Sequence, residues 1–175
     1  QFAMPYVDEE LAFVLENLKV PRAEMEQRMD EALRAVGLQL AERHTLIDDL
    51  SQGMKQRLAL ASVLLLEPDV LFLDEPSALL DPEGTEQIWD SVRRVAKDKT
   101  VIIVEHKIDQ LEHWVDRVVL LNQHGEIVAD GPPEEIFTTY RATLIEDGIW
   151  YPDVWHDYRA RPQTKEREAT RIAPS

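Results

Sequence analysis

Asp74 and Glu75 end an unbroken apolar run, Val70-Leu71-Phe72-Leu73, and Pro76 follows at once. If that run is a parallel strand, its carboxyl end opens on the crevice where such sheets bind ligands. One carboxylate there can hold magnesium, which takes few protein carboxylates and completes its shell with water and phosphate. The next residue's carboxylate can orient a water and accept its proton, a role worth about 10²–10⁴-fold in rate. Two acids before a proline also serve simply to end a strand, so the pair gains meaning only from its neighbours. Upstream, Leu50-Ser51-Gln52-Gly53-Met54-Lys55-Gln56-Arg57 runs into the apolar residues 58 to 66. Ser51 reads as the N-cap of a buried helix, and Gly53 lets another backbone approach its tip. Unpaired N–H groups and the helix dipole make such a tip a ready anion site, although an ordinary serine cap looks the same. Downstream, Ser77-Ala78-Leu79-Leu80-Asp81 precedes a second apolar run, Val101-Ile102-Ile103-Val104, which ends in Glu105-His106. A histidine closing a strand parallel to the first can reach a terminal phosphate in the same crevice. His44, His113, His124 and His156 read as structural, and no spacing among the five histidines builds a zinc site.

The elements that must position these groups follow from periodicity. Leu11, Val14, Leu15 and Leu18 recur at helical spacing, as do Met25, Met29, Leu33 and Val36, so residues 8 to 37 read as helices. Pro21 and Gly37 bracket the second of them. The runs at 70–73, 101–104 and 118–121 are continuous rather than alternating, which predicts strands covered on both faces in a parallel sheet. Between the first two, Ile88, Val92 and Val95 mark a helix with Asp81 as its cap and Pro82 in its first turn. Gln123-His124-Gly125 predicts the turn of a final hairpin. Trp150, Tyr151, Trp155 and Tyr158 read as an aromatic group packed on its own domain, and residues 162–175 as a fraying end or linker.

Composition sets the outer bounds. The 175 residues carry a net charge of −15, which argues against a sequence-independent grip on nucleic acid. The absence of cysteine removes disulfides, thiolate metal sites and thiol nucleophiles together. No apolar run approaches the roughly 18 residues that a membrane span needs. The opening Gln1-Phe2-Ala3-Met4 has neither an initiator methionine nor a basic leader, so a cut or processed polypeptide is expected.

Taken in order, Leu-Ser-x-Gly-x-x-x-Arg, Leu-Asp-Glu-Pro, Ser-x-x-Leu-Asp and a strand-terminal histidine resemble the distal half of an ATP-binding-cassette (ABC) ATPase over residues 1 to 137. The resemblance implies an α/β fold: part of a P-loop NTPase (RecA-like) parallel-sheet core with an α-helical ABC subdomain. It implies a signature motif at Ser51, Gln52 and Gly53 that contacts ATP in trans, and Asp74 as the magnesium ligand. It further implies Glu75 as the catalytic base, a D-loop from Ser77 to Asp81, and His106 as the switch histidine. Gln52 stands where glycine is usual and Met54 where glutamine is usual. Glu105 before His106, and the segment from Val7 to Asn17, resemble the energy-coupling-factor branch, whose members take up vitamins and transition metals.

The phosphate-cradling Gly-x-x-x-x-Gly-Lys-Ser/Thr loop is missing from these residues. The glycines are 37, 53, 84, 125, 131 and 148, and none precedes a lysine. The expectation is therefore the C-terminal portion of a cassette lacking its Walker A part, binding ATP negligibly alone, with an exposed apolar edge left beside Val101 to Val104. Expected domains are a helical subdomain at 1–66 ending in the signature helix, the distal core at 67–140 and a tail at 141–175. The implied partners are a second ABC ATPase in a head-to-tail dimer and a transmembrane coupling subunit, at the cytoplasmic face of the membrane and without nucleic acid. Phe2, Met4, Tyr6 and Phe13 are candidates for the groove that receives the membrane subunit. Two alternatives stand beside this reading. One is a non-catalytic ABC half completing a partner's site through Ser51, which retention of Glu75 argues against. The other is a DNA-repair-type ABC ATPase, which the short stretch before the signature and the acidic charge argue against.

Overall fold

A computed structural model describes residues 2–108, 111, 114–122 and 124–146, the side chains of the last two excepted. The aromatic group from Trp150 to Tyr158 and the polar end at 162–175 lie outside the described residues. The chain forms two compact units, Gln1–Glu105 and His106–Ser175. This division follows packing, whereas the boundaries expected at 66/67 and 140/141 follow motif order.

In the first unit, α1 (Val7–Asn17), α2 (Arg22–Ala35) and α3 (Gln52–Leu64) precede β1 (Val70–Asp74), α4 (Pro82–Val95) and β2 (Thr100–Val104). Helix α2 buries Met29, Ala32 and Leu33, and its C-cap Val36 continues the stripe at helical spacing. It ends where Gly37 takes φ +66°. The Leu38 N–H then bonds the Leu33 carbonyl at 2.9 Å and the Gly37 N–H that of Arg34 at 3.0 Å, the double closure that a left-handed C′ residue permits. The remaining carbonyls of that end receive side chains. Ser91 Oγ donates to Val36 O at 2.6 Å, Arg94 Nε to Ala35 O at 3.2 Å and Arg57 Nη1 to Gly37 O at 2.9 Å. Burial, and secondarily the nearby Arg94, lowers the pKa of Arg57 from its ordinary value. These bonds tie α2 to α3 and α4 around Leu11, Leu58, Trp89 and Val92, all fully buried; each of the larger side chains contributes about 1.5–3 kcal/mol by leaving water.

Strands β1 and β2 pair in parallel, with Val70 opposite Thr100 and Asp74 opposite Val104, so both end at one edge. They are a strand–helix–strand unit in which α4 is the crossover. Leu71 is buried on the helical side, but Val70, Phe72, Ile102 and Val104 are exposed on the other, Phe72 to 64%. The expected cover on both faces is therefore corrected: among the described residues the sheet has two strands and one covered face. The apolar segment after the signature is likewise buried on one side only, with Leu58, Leu60 and Ala61 inside and Val63 and Leu66 exposed. A continuous apolar run shows that a segment can be covered, and not what covers it.

In the second unit, β3 (Val118–Leu121) and β4 (Ile127–Gly131) form the predicted antiparallel hairpin, followed by α5 (Pro133–Thr139) and α6 (Arg141–Glu146). The parallel pairing expected of residues 118–121 is corrected: among the described residues β3 pairs with β4 alone, antiparallel. Asn122 shapes the turn: its Oδ1 accepts from the N–H of His124 at 2.9 Å and of Glu126 at 3.0 Å, while Gly125 takes φ +77°. Leu120, Ala129, Ile136, Phe137 and Leu144 make the core of this unit.

Candidate functional site

Ser51 caps α3 as expected. Its backbone is extended and its Oγ accepts the Met54 N–H at 3.2 Å. The remaining N–H groups of that first turn have no partner within the helix. Ser51 and Gln52 are exposed and Gly53 is half-buried, so the tip faces solvent. Helix α4 starts beside it: Asp81 Oδ1 accepts the Gly84 N–H at 2.7 Å and Pro82 fills the first turn. The two helix starts share a groove of about 510 Å³ lined by Ser51, Gln52, Gly53, Leu79, Leu80 and Asp81. Gly53 is not demanded by this packing. A Cβ there would meet Gly84 Cα at 3.6 Å and Leu80 Cδ2 at 3.9 Å, ordinary contacts, and no left-handed φ is involved. The absent side chain leaves the groove between the two helix starts wider at Gly53, on the side of Gly84 and Leu80.

Asp74 is the last residue of β1 and exposed, on the same strand face as Val70 and Phe72 by alternation. Glu75 leaves the strand with φ +45°, although its N–H still bonds the Val104 carbonyl at 2.9 Å. A left-handed non-glycine residue costs about 1–3 kcal/mol and is commonest at functional sites. The acid pair borders a cleft of about 260 Å³ that Gln56, Leu60 and Leu71 also line. Among the described residues no three His, Cys, Asp or Glu side chains gather as a closed metal site. The exposed Asp74 carboxylate alone fits magnesium nonetheless, because that ion draws most of its ligands from phosphate and water.

The structure thus brings Ser51, Gln52 and Gly53 together with Asp81, and sets Asp74 and Glu75 at the common end of two parallel strands. His106 follows β2 but opens the second unit. Ser77 is 1% exposed, with its N–H (3.3 Å) and its hydroxyl both donating to Glu105 Oε1. Glu105 and Gln56, which donates to the Ala78 carbonyl at 3.2 Å, were not among the candidates read from the sequence. Their partners lie 28 and 22 residues away, and no local pattern signals such pairs.

A third cavity, of about 390 Å³, is lined by Phe2, Glu10, Gln52, Lys55, Gln56 and Ser62. Glu10, 8% exposed, accepts the N–H groups of Ala3 and Met4 at 2.9 and 2.8 Å, which fixes the segment that carries Phe2. Tyr6 stacks on His44 at 3.9 Å between ring centroids, and His44 Nδ1 lies 3.1 Å from Asp8. Phe13 is 38% exposed.

Comparison with known proteins follows the same line. The family model described as "ABC transporter" matches residues 3–78. The energy-coupling factor transporter ATP-binding protein EcfA1 of Leuconostoc mesenteroides is 40% identical over 159 residues, 87% of this chain and 56% of that protein. The protein of the same name from Listeria monocytogenes is 42% identical over 154 residues, 87% of this chain and 54% of that one. The solved structure of cbiO1 from Clostridium perfringens, described as part of the ABC transporter complex cbiONQ, superposes with a TM-score of 0.72 at 31% identity. That match covers 91% of this chain and 63% of cbiO1. The chain spans between a quarter and about half of the length of the first curated relatives it matches.

Proposed function

The chain belongs to the ATP-binding proteins of ABC transporters, with a P-loop NTPase fold, and from that premise we propose that it is part of the ATP-hydrolysing subunit of an energy-coupling-factor importer of vitamins or metals. One observation carries the proposal: a hydroxyl-capped helix tip with an unneeded glycine lies open on one groove, and an acid pair closes β1 at the common edge of two parallel strands, beside another cleft. Bound magnesium–ATP supplies the phosphoryl group and the charge that the acids manage. The residues of this chain do the rest. Asp74 would hold the metal, Glu75 would orient a water and accept its proton, and His106 would donate a hydrogen bond to the phosphate. Ser51 and the first-turn N–H groups of α3 bind phosphate held by a second ATPase, so two copies or two related subunits close over each nucleotide. Asp81, capping α4 on the same groove, lies at that meeting face. The cavity beside Phe2 and Glu10 is where a transmembrane coupling subunit docks, which puts the protein at the cytoplasmic face of the membrane. No helix of the described residues is long and apolar enough to cross a membrane itself.

None of the six glycines precedes a lysine, so in this proposal the phosphate cradle comes from polypeptide other than these 175 residues, which alone should bind ATP negligibly. Micromolar ATP binding by the isolated 175 residues in calorimetry would contradict this. In the full-length protein, Ser51→Arg places bulk and charge on the helix tip and abolishes hydrolysis while ATP binding by the same subunit persists. Unchanged hydrolysis would remove Ser51 from the phosphate site.

A further inference from the structure

The loop after β1 keeps an unfavourable backbone shape. Glu75 and Leu79 take φ of +45° and +63°, left-handed values with no glycine to ease them. Such residues persist only where the surroundings over-determine them. Two side chains supply that constraint from different elements. Glu105, one residue past β2, accepts both the N–H and the hydroxyl of Ser77, which is buried. Gln56, on α3, donates Nε2 to the Ala78 carbonyl at 3.2 Å. Its Oε1 is buried and finds no hydrogen-bond partner among the described residues. An amide that leaves its acceptor unmet is costly where it stands, and an apolar side chain of the same length would avoid that cost. The donor half is what the position uses. The loop's own bonds, Ala78 N–H to Glu75 O at 2.9 Å and Leu80 N–H to Ser77 O at 3.3 Å, wind it tightly between the two grips. Its first residue belongs to the acid pair, and its last two, Leu80 and Asp81, line the groove of Ser51 and Gly53.

We infer that Gln56 and Glu105 are positioning residues that grip Ala78 and Ser77 and so hold Glu75, at the head of the loop, in its left-handed conformation. Neither touches the reacting atoms in this account; each acts through the loop. The consequence for hydrolysis rests on the function proposed above, whereas the grip itself does not. Removal of either grip lets Glu75 and Leu79 relax toward ordinary backbone angles. The base then leaves its place while nucleotide binding, in which neither side chain is given a role, is retained.

The test follows amide exchange of residues 77–80 and steady-state ATP hydrolysis in the full-length protein. Glu105→Leu and Gln56→Met are expected to speed exchange of those amides about tenfold or more, confined to the loop, and to lower kcat with KM for ATP unchanged. Glu105→Gln keeps an acceptor oxygen and restores both readouts relative to Glu105→Leu. Leu79→Gly, which adopts positive φ freely, recovers part of the lost protection in the Gln56→Met background. If Glu105→Leu fails to fold, Gln56→Met and Ser77→Ala, which removes only the hydroxyl donor, read the same grip. Wild-type loop exchange in Gln56→Met and Glu105→Leu overturns the inference. So does exchange raised evenly through the whole unit, or Glu105→Gln as impaired as Glu105→Leu. Failure of the functional reading looks different: loop exchange responds as stated, but neither the grip variants nor Ser51→Arg alter hydrolysis.

Discussion

Gly53→Ala separates what the fold needs from what the site needs. Gly53 is the second residue of α3, and a Cβ built on it would stand 3.6 Å from Gly84 Cα and 3.9 Å from Leu80 Cδ2, with nothing nearer. Both are ordinary contacts, so the methyl group fits without displacing either helix. Glycine costs about 0.5–1 kcal/mol relative to alanine inside a helix, and somewhat less in a first turn. The variant should therefore be more stable by about 0.5 kcal/mol, a rise of about 1–2 °C in Tm for a chain of this size. ATP turnover should move the other way. If the tip binds phosphate as proposed, the added methyl narrows the groove beside it, and a displacement of about 1 Å in such a site can cost about 10²-fold. The assay is thermal unfolding beside steady-state hydrolysis in the full-length protein. A fall in Tm would refute the packing argument, and unaltered hydrolysis at raised Tm would refute the assignment of the tip to phosphate.

Gly37→Ala should behave oppositely at the level of folding. Its φ of +66° is left-handed, and a Cβ would lie 2.5 Å from Arg94 Nη2. Strain of about 1–2 kcal/mol, together with loss of the Arg94 bond to Ala35 worth about 1.5–3 kcal/mol if the guanidinium is displaced, predicts a clear drop in the denaturation midpoint. An unchanged midpoint would show that the α2 terminus is not fastened as described. In the second unit, Arg117 Nε and Nη2 meet Asp130 at 2.6 and 2.7 Å, and these hydrogen bonds hold the Asp130 carboxyl below its ordinary 3.8. A depressed native pKa means that the ion pair's contribution to stability is present above pH 3.8 and fades as pH falls through the lower native value. NMR titration should place the Asp130 midpoint below 3.8 in the native protein and return it toward that value in Arg117→Ala.

Features set by near neighbours in the chain were legible beforehand. Ser51, Asp81, Pro82 and Gly37 each act through a backbone group within a turn of themselves, and each stands where the sequence placed it. Parallel pairing of β1 with β2 was also readable, because two continuous apolar runs flank an amphipathic helix. Features that depend on what lies across space were not. Phe72 and Ile102 read as covered because they are apolar, yet both are exposed on the open sheet face. Ser77 read as the start of a D-loop, but its burial against Glu105, from the end of a strand 28 residues on, had no local signal. The left-handed turn at Glu75 has no signature either, since glutamate is not a residue that announces positive φ.

In the proposed function the acid pair closing β1 works on ATP, with Asp74 on the metal and Glu75 on the water. Glu75→Gln keeps the size and removes the proton acceptor. In the full-length protein it should retain ATP affinity and lose about 10²–10⁴-fold in hydrolysis. A Glu75→Gln variant that binds ATP and hydrolyses it at the wild-type rate would contradict the account.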